Sequence, residues 1–202
     1  MMARPRPELI TVSPVRVTRV LHPIEVPEVF TNSECQRIIA TARAGQFQDA
    51  ALVGGTHDDD TRRSRNYWLD DDGDGAWIFR RLLDAIAAEN RNHFQFDLTD
   101  FLERMQVAWY GAETGGFFGW HTDCGGGRIA AQRKLTIVVQ LSNADDYEGG
   151  SLETNFDGVV RAASRAIGSA LILPSFVLHN VTPVTRGERY SLTLWSHGPA
   201  FR

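Results

Sequence analysis

The chain has 202 residues, 43% of them hydrophobic and 23% charged, with a formal net charge of −4. That length can bury a full core in one domain, and the acidic balance excludes the basic footprint of a nucleic-acid or anionic-membrane binder. No run approaches the roughly 20 apolar residues of a membrane span, and two cysteines, Cys35 and Cys124, cannot build a disulfide framework.

In chain order, MMARPRPELITVSP carries early arginines with no apolar stretch behind them, so it reads as a tail and not as a secretory signal. A cytoplasmic protein with reduced thiols is the expectation. RVTRVLHPIEV, residues 16–26, alternates as a strand does. FTNSECQRIIATARAG is a helix with both ends marked: Thr31 and Glu34 form a capping box, Cys35, Ile38, Ile39 and Ala42 make one apolar stripe, and Gly45 stops it. FQDAALVG predicts another strand; GGTHDDDTRRSRNYWLDDDGDG is densely charged, with paired glycines and the aromatic pair Tyr67 and Trp68, and its acidic ends read as solvated loops. AWIFRRLLDAIAAENRNH is a second helix, with Trp77, Leu82, Leu83 and Ile86 turned inward.

After Phe94 the pattern becomes eight short strands separated by turn residues: FLERMQVAWYG, FFGWHTD, KLTIVVQLS, GSLETN, GVVRAA, SALILPS, VLHNVTPV and RYSLTLWSHG. Close spacing of this kind predicts a sandwich or barrel, with the N-terminal helices against the outside of one sheet. Glu148–Gly149–Gly150 reads as a turn, and Gly125–Gly127 as a mobile loop beside the WHTD segment.

Residues two apart on a strand share a face, so His121 and Asp123 of WHTD address one point while Thr122 turns away. His22, His57, His93 and His197 are most simply surface or capping histidines. His179 differs, because LILPSFVLHNVTPV sets it in an apolar strand. Ten residues later Arg189 opens a strand of Tyr, Leu, Thr and Trp, where an inward guanidinium needs a carboxylate to meet. Two histidines and a carboxylate converging in β-structure are the facial triad of non-haem Fe(II) oxygenases. Trp109, Trp120 and Trp195 suit core packing and pocket walls equally well.

YGAETGGFFGWHTD, LSNADDYEGGSLET and LILPSFVLHNVTPVTRGERYSLTLW together resemble the iron and 2-oxoglutarate-dependent dioxygenases of the prolyl 4-hydroxylase type, and the bacterial PKHD-type hydroxylases most of all. The resemblance is strong from about 105 to 195 and weaker over the helices. It implies a mainly β fold with flanking N-terminal helices, a double-stranded β-helix (jelly-roll, cupin-like) core over about 93–197, and support from the strand and helices of about 16–92. All of this lies within one domain spanning 1–202.

It further implies that His121, Asp123 and His179 bind Fe(II), that Arg189 holds the distal carboxylate of 2-oxoglutarate, and that Tyr110 and Ser191 contact that cosubstrate. O2 is the second cosubstrate and ascorbate a reductant. The implied reaction hydroxylates an unactivated C–H of a free amino acid or a peptidyl residue, prolyl included, and releases succinate and CO2. The presence of Asp123 argues for hydroxylation over the halogenation carried out by relatives that lack the carboxylate.

Arg62, Arg63, Arg65, Asn66, Tyr67 and Trp68, with Arg128, are the candidates for substrate recognition. Arg65 has a substrate carboxylate or the neighbouring aspartates as its alternatives. A non-catalytic metal-binding β-barrel module is the competing class. A zinc hydrolase with Glu148 or Glu153 as base is a third. A metal-ligand or reactive-thiol role for Cys124 is weaker than a structural one.

Overall fold

The computed structural model describes residues 21–49 and 60–200. In chain order they form β1 (Ile24–Val26), α1 (Asn32–Ala44), β2 (Gln48–Asp49), β3 (Arg62–Arg63), β4 (Arg65–Leu69), α2 (Ala76–Glu89), β5 (Met105–Gly111), β6 (Phe117–His121) and β7 (Arg133–Gln140). There follow β8 (Tyr147–Gly149), β9 (Leu152–Asn155), β10 (Val160–Ala162), β11 (Ala170–Pro174), β12 (Leu178–Val181) and β13 (Val184–His197). The larger antiparallel sheet has the order β1-β11-β7-β13-β5-β4-β2, with β8 on β13. The smaller one has the order β10-β9-β12-β6-β3. From β6 onward the chain passes repeatedly from one sheet to the other, which is the double-stranded β-helix path.

The central strands of the large sheet are buried on both faces, so their sequences run as near-continuous apolar stretches. Period-two alternation still divides their residues. Val107, Ile137, Ile172, Leu192 and Leu194 face the helices and pack with Ile38, Leu82 and Ile86. Ala108, Tyr110, Val138 and Leu171 face the smaller sheet and pack with Leu152 and Val181. The helices therefore lie outside the large sheet, as expected, and leave the space between the sheets to the site.

Helix α1 matches its sequence signature: Thr31 and Glu34 cap each other, Cys35, Ile38, Ile39 and Ala42 are buried, and Gly45 follows its end. Helix α2 differs in its face. Ile78, Leu82 and Ile86, four residues apart, are buried, while Trp77 and Leu83 are half-buried. Trp77 meets Phe30 edge-on at 5.7 Å, so its bulk caps the cluster from the rim. All eight strands predicted after Phe94 are present.

Between the acidic ends of the segment before α2 lie β3, the edge strand of the smaller sheet, and β4, which pairs with β5 in the larger one. Likewise, the Glu148–Gly150 turn includes the end of β8; Gly149 and Gly150 have φ of +70° and +57°, so strand and bend coexist there. The predicted strands at 16–26 and 47–54 are seen only as β1 and β2: Leu21, His22, Pro23 and Phe47 are not strand, and 16–20, 50–54 and His57 fall outside the described residues. Among the described residues no helix is long and apolar enough to cross a membrane.

Candidate metal and cosubstrate site

His121 ends β6 and His179 lies directly opposite it on the antiparallel neighbour β12. That pairing brings residues far apart in sequence to a ring-centroid separation of 4.2 Å. Beyond the end of β6, Asp123 is held by the turn after β11, where the Ser175 carbonyl accepts the N–H groups of both Asp123 (2.9 Å) and Cys124 (2.8 Å). The carboxylate thus lies 3.8 Å (Oδ1) from His121 Nε2 and 3.5 Å (Oδ2) from His179 Nε2. One ligating atom from each residue falls within 4.8 Å of the others, and Thr122 is exposed, as the spacing requires.

The tautomers are fixed by the backbone. His121 Nδ1–H donates to Gly119 O at 2.8 Å and His179 Nδ1–H to Val177 O at 2.9 Å. A carbonyl only accepts, so each Nε2 is left with its lone pair toward Asp123. Burial, then the neighbouring His179, pushes His121 down to about 4 despite Asp123, which keeps the ring neutral near pH 7. Burial alone would raise Asp123, but His179, His121, the Thr136 hydroxyl and Arg133 outweigh it and hold the carboxyl below its ordinary range. Two imidazole Nε2 atoms and one carboxylate suit a divalent iron.

Arg189 enters the inter-sheet space from β13 and is 2% exposed. Its Nε and Nη1 are buried without a hydrogen-bond partner, and its guanidinium lies 5.5 Å from the Tyr110 ring centre. A buried cation in this state calls for an anion with two oxygens. The distal carboxylate of a keto acid has that form, so the residues present fit 2-oxoglutarate. Tyr110, Ser191, His121, Asp123 and His179 line a cavity of about 720 Å3 between the sheets. Arg189 borders a much smaller void beside it, Val138 and Leu152 forming a wall shared by both.

Other expectations resolve individually. Trp195 lines the cavity, Trp109 packs among the helix-side core residues, and Trp120 is 42% exposed, so only the first shapes the pocket. His197 is not a surface or capping residue of a tail: it is fully buried at the end of β13, with Nε2 3.1 Å from Glu103. Glu103 also receives Arg133 Nε at 2.7 Å. Burial would raise Glu103, but His197 and Arg133 bring it down to about 2. The sequence offered no sign that the C-terminal end of a strand would close over a buried ion-pair cluster.

Arg65 pairs with Asp49, settling its alternatives toward the local aspartate, and Arg63 lies over Phe117. Arg62, Trp68 and the Gly126–Arg128 stretch border the cavity. Glu148 pairs with Arg186 on the surface, and neither it nor Glu153 reaches the cavity wall, which removes both bases named for a zinc hydrolase. Cys124 is not among the clustered ligand atoms. Thr136 and Ser175, which orient Asp123, were not anticipated; an inward threonine in KLTIVVQLS was their only trace.

The family model of the 2OG-Fe(II) oxygenase superfamily matches residues 105–197, which hold His121, Asp123, His179 and Arg189. The PKHD-type hydroxylase PiuC of Pseudomonas aeruginosa is 26% identical over 179 residues, covering 86% of this chain and 77% of that protein. A prolyl-4-hydroxylase of Pseudomonas putida superposes with a TM-score of 0.71 at 21% identity, over 88% of this chain and 94% of that one. The prolyl hydroxylase of Trichoplax adhaerens, solved with a hypoxia inducible factor peptide fragment, gives a TM-score of 0.73 at 19% identity, over 88% and 84%. Residues 105–197 thus carry the match to the 2OG-Fe(II) oxygenase superfamily, and the chain is similar in sequence to PKHD-type hydroxylases and in fold to prolyl hydroxylases, which together indicate an oxidoreductase with Fe(II), 2-oxoglutarate and O2 as its cofactor and cosubstrates.

Proposed function

We propose that this enzyme hydroxylates an unactivated C–H of an amino acid or peptidyl residue, prolyl included, with succinate and CO2 as co-products. The observation that carries this reading is the joint placement of a two-histidine, one-carboxylate cluster and a buried arginine with orphaned donors around one inter-sheet space. A metal-binding module without catalysis leaves that guanidinium without a purpose.

In this reading His121, Asp123 and His179 hold Fe(II), and Arg189 receives the distal carboxylate of 2-oxoglutarate, assisted by Tyr110 and Ser191. Bound iron and keto acid together supply the oxidising chemistry. The chain's residues do the rest. The carbonyls of Gly119 and Val177 hold each ring's proton on Nδ1 in the neutral form, which leaves Nε2 as the ligating atom, and Thr136 holds one carboxylate oxygen by donating to it. Leu152, Val138 and Val181 give the cavity an apolar wall that limits water.

The two apolar clusters lie on opposite faces of one sheet, which supports a single domain over 1–202. Both cysteines are free thiols, which supports a cytoplasmic setting. The substrate is a small molecule or peptide, not nucleic acid or membrane, in keeping with the net charge of −4. The test is incubation with Fe(II), ascorbate and 2-oxoglutarate against amino acids and peptides, reading succinate and a product heavier by one oxygen atom. Succinate above the enzyme-free rate with a matched oxygenated product supports the reading. Absence of both turnover and 2-oxoglutarate binding contradicts it.

A further inference from the structure

Arg62 lies on β3 opposite Phe118 of β6, is 8% exposed, and forms part of the cavity wall. Its guanidinium sits 4.4 Å over the Phe118 ring, which in turn stacks on His121 at 3.5 Å. One aromatic ring therefore separates this cation from the metal cluster. Its side-chain hydrogen bonds run to Ser64 Oγ from Nε at 2.6 Å, and from Nη2 to Asn66 Oδ1 at 2.9 Å and Gln106 Oε1 at 3.2 Å, all neutral acceptors; the Tyr110 hydroxyl and, at longer range, the Asp123 carboxylate also favour its charge. Arg133 in the same wall has Glu103 as its partner. Among the described residues Arg62 forms no ion pair.

The charges of the loaded site make this unusual. On the oxygenase reading above, Asp123 and the keto acid's 1-carboxylate offset Fe(II), its distal carboxylate offsets Arg189, and Glu103 serves Arg133. Arg62 is the buried cation of the cavity wall that remains. A desolvated guanidinium without a close counter-ion is unfavourable, while one whose Nε and Nη2 are already held in place still presents the Nη1 end of its fork to a carboxylate. Trp195, elsewhere in the wall, adds a buried Nε1–H with no acceptor. Both groups ask for the same thing, an electron-rich oxygen on whatever enters.

We propose that Arg62 anchors a carboxylate of the substrate, so that the enzyme acts on carboxylic acids, either free amino acids or the C-terminal residues of peptides, and not on residues within a chain. Ser64, Asn66 and Gln106 are positioning residues that hold the fork. The inference rests on the oxygenase reading and specifies its substrate class.

The experiment uses the full chain with Fe(II) and 2-oxoglutarate, first without oxygen. The probes are the free amino acids, their C-terminal amides, short peptides ending in a free carboxylate, the same peptides amidated, and peptides blocked at both ends. Binding is read as a change in the visible charge-transfer band of the iron–keto-acid complex. Oxygen is then admitted, and succinate and the oxygenated product are measured. At least one acid should act, and its amide should be weaker by roughly thirtyfold or more, the usual consequence of deleting one partner of a buried charged pair.

Arg62→Met should bring acid and amide to within a few-fold of each other while the 2-oxoglutarate band forms as in the wild type, and Arg62→Lys should retain part of the preference. Free amino acids and peptide C-termini are told apart by which panel responds. An amide or doubly blocked peptide acting as well as its acid overturns the proposal, as does a preference that survives Arg62→Met. So does the absence of any responding acid in protein that binds 2-oxoglutarate. The comparison of acid with amide needs no variant and stands even where Arg62→Met fails to fold. If the wild type forms no charge-transfer band at all, the oxygenase reading itself fails and this proposal falls with it.

Discussion

Thr136 donates its hydroxyl to Oδ2 of Asp123 at 2.7 Å, and Ser175 Oγ lies 3.1 Å from that same hydroxyl. The threonine comes from the large sheet and the aspartate from just beyond the last residue of β6 in the small one, so a single hydrogen bond ties the carboxylate across the sandwich. Thr136→Val keeps the shape and removes the donor. It is expected to lower Fe(II) affinity by about 10–100-fold, read by titrating Fe(II) into anaerobic protein with saturating 2-oxoglutarate. Thr136→Ser should retain most of the affinity.

His179→Ala and Asp123→Ala each remove a ligand and, on this account, abolish turnover and the charge-transfer band together. Metal binding stabilises the folded state by mass action, so adding Fe(II) or Mn(II) should raise the Tm of the wild type and leave that of either variant unchanged. A variant that keeps both the metal-dependent Tm shift and turnover would remove its residue from the metal centre.

Arg189→Met is expected to weaken 2-oxoglutarate binding by roughly 2–5 kcal/mol, the range for truncating one side of a buried charged pair. Arg189→Lys should fall between, since an ammonium keeps the charge and loses the paired geometry. The same Met variant should raise the thermal stability of cofactor-free protein, because Nε and Nη1 are buried without partners in that state. Weak cosubstrate binding together with higher apo stability marks a functional cation; loss of both marks a structural one.

Glu103 makes a prediction about acid. It titrates at about 2 in the fold, against an ordinary value of 4.5, because His197 and Arg133 outweigh the effect of burial. The unfolded chain therefore binds its proton first as the pH falls. The stabilisation from this group, on the order of 3 kcal/mol, is complete above about 4.5 and is lost progressively toward 2. The difference in urea-unfolding free energy between wild type and Glu103→Gln should be constant at neutral pH and shrink across that window.

Much of the site was legible because the chemistry needs residues that strands seldom bury. His121 and Asp123 share a face by period two, and Arg189 stood out among Tyr, Leu, Thr and Trp. The capping box at Thr31 and Glu34 is local in sequence and was equally readable. What stayed hidden depends on pairing between distant segments. β3 and β4 are short strands in a densely charged stretch, and pairing with β6 and β5 makes them strands. His197 reads as a tail residue until Glu103 and Arg133 meet it. Arg62, Arg63 and Arg65 are indistinguishable as sequence, and only the fold turns the first into the cavity and the third to Asp49 on the surface.

The most direct test of the account is titration of 2-oxoglutarate into anaerobic wild-type protein containing one equivalent of Fe(II), followed in the visible spectrum. The account predicts a weak band in the green that saturates at one keto acid per iron, disappears in Asp123→Ala, and needs far more 2-oxoglutarate in Arg189→Met. No band in the wild type, or one indifferent to both substitutions, would contradict it.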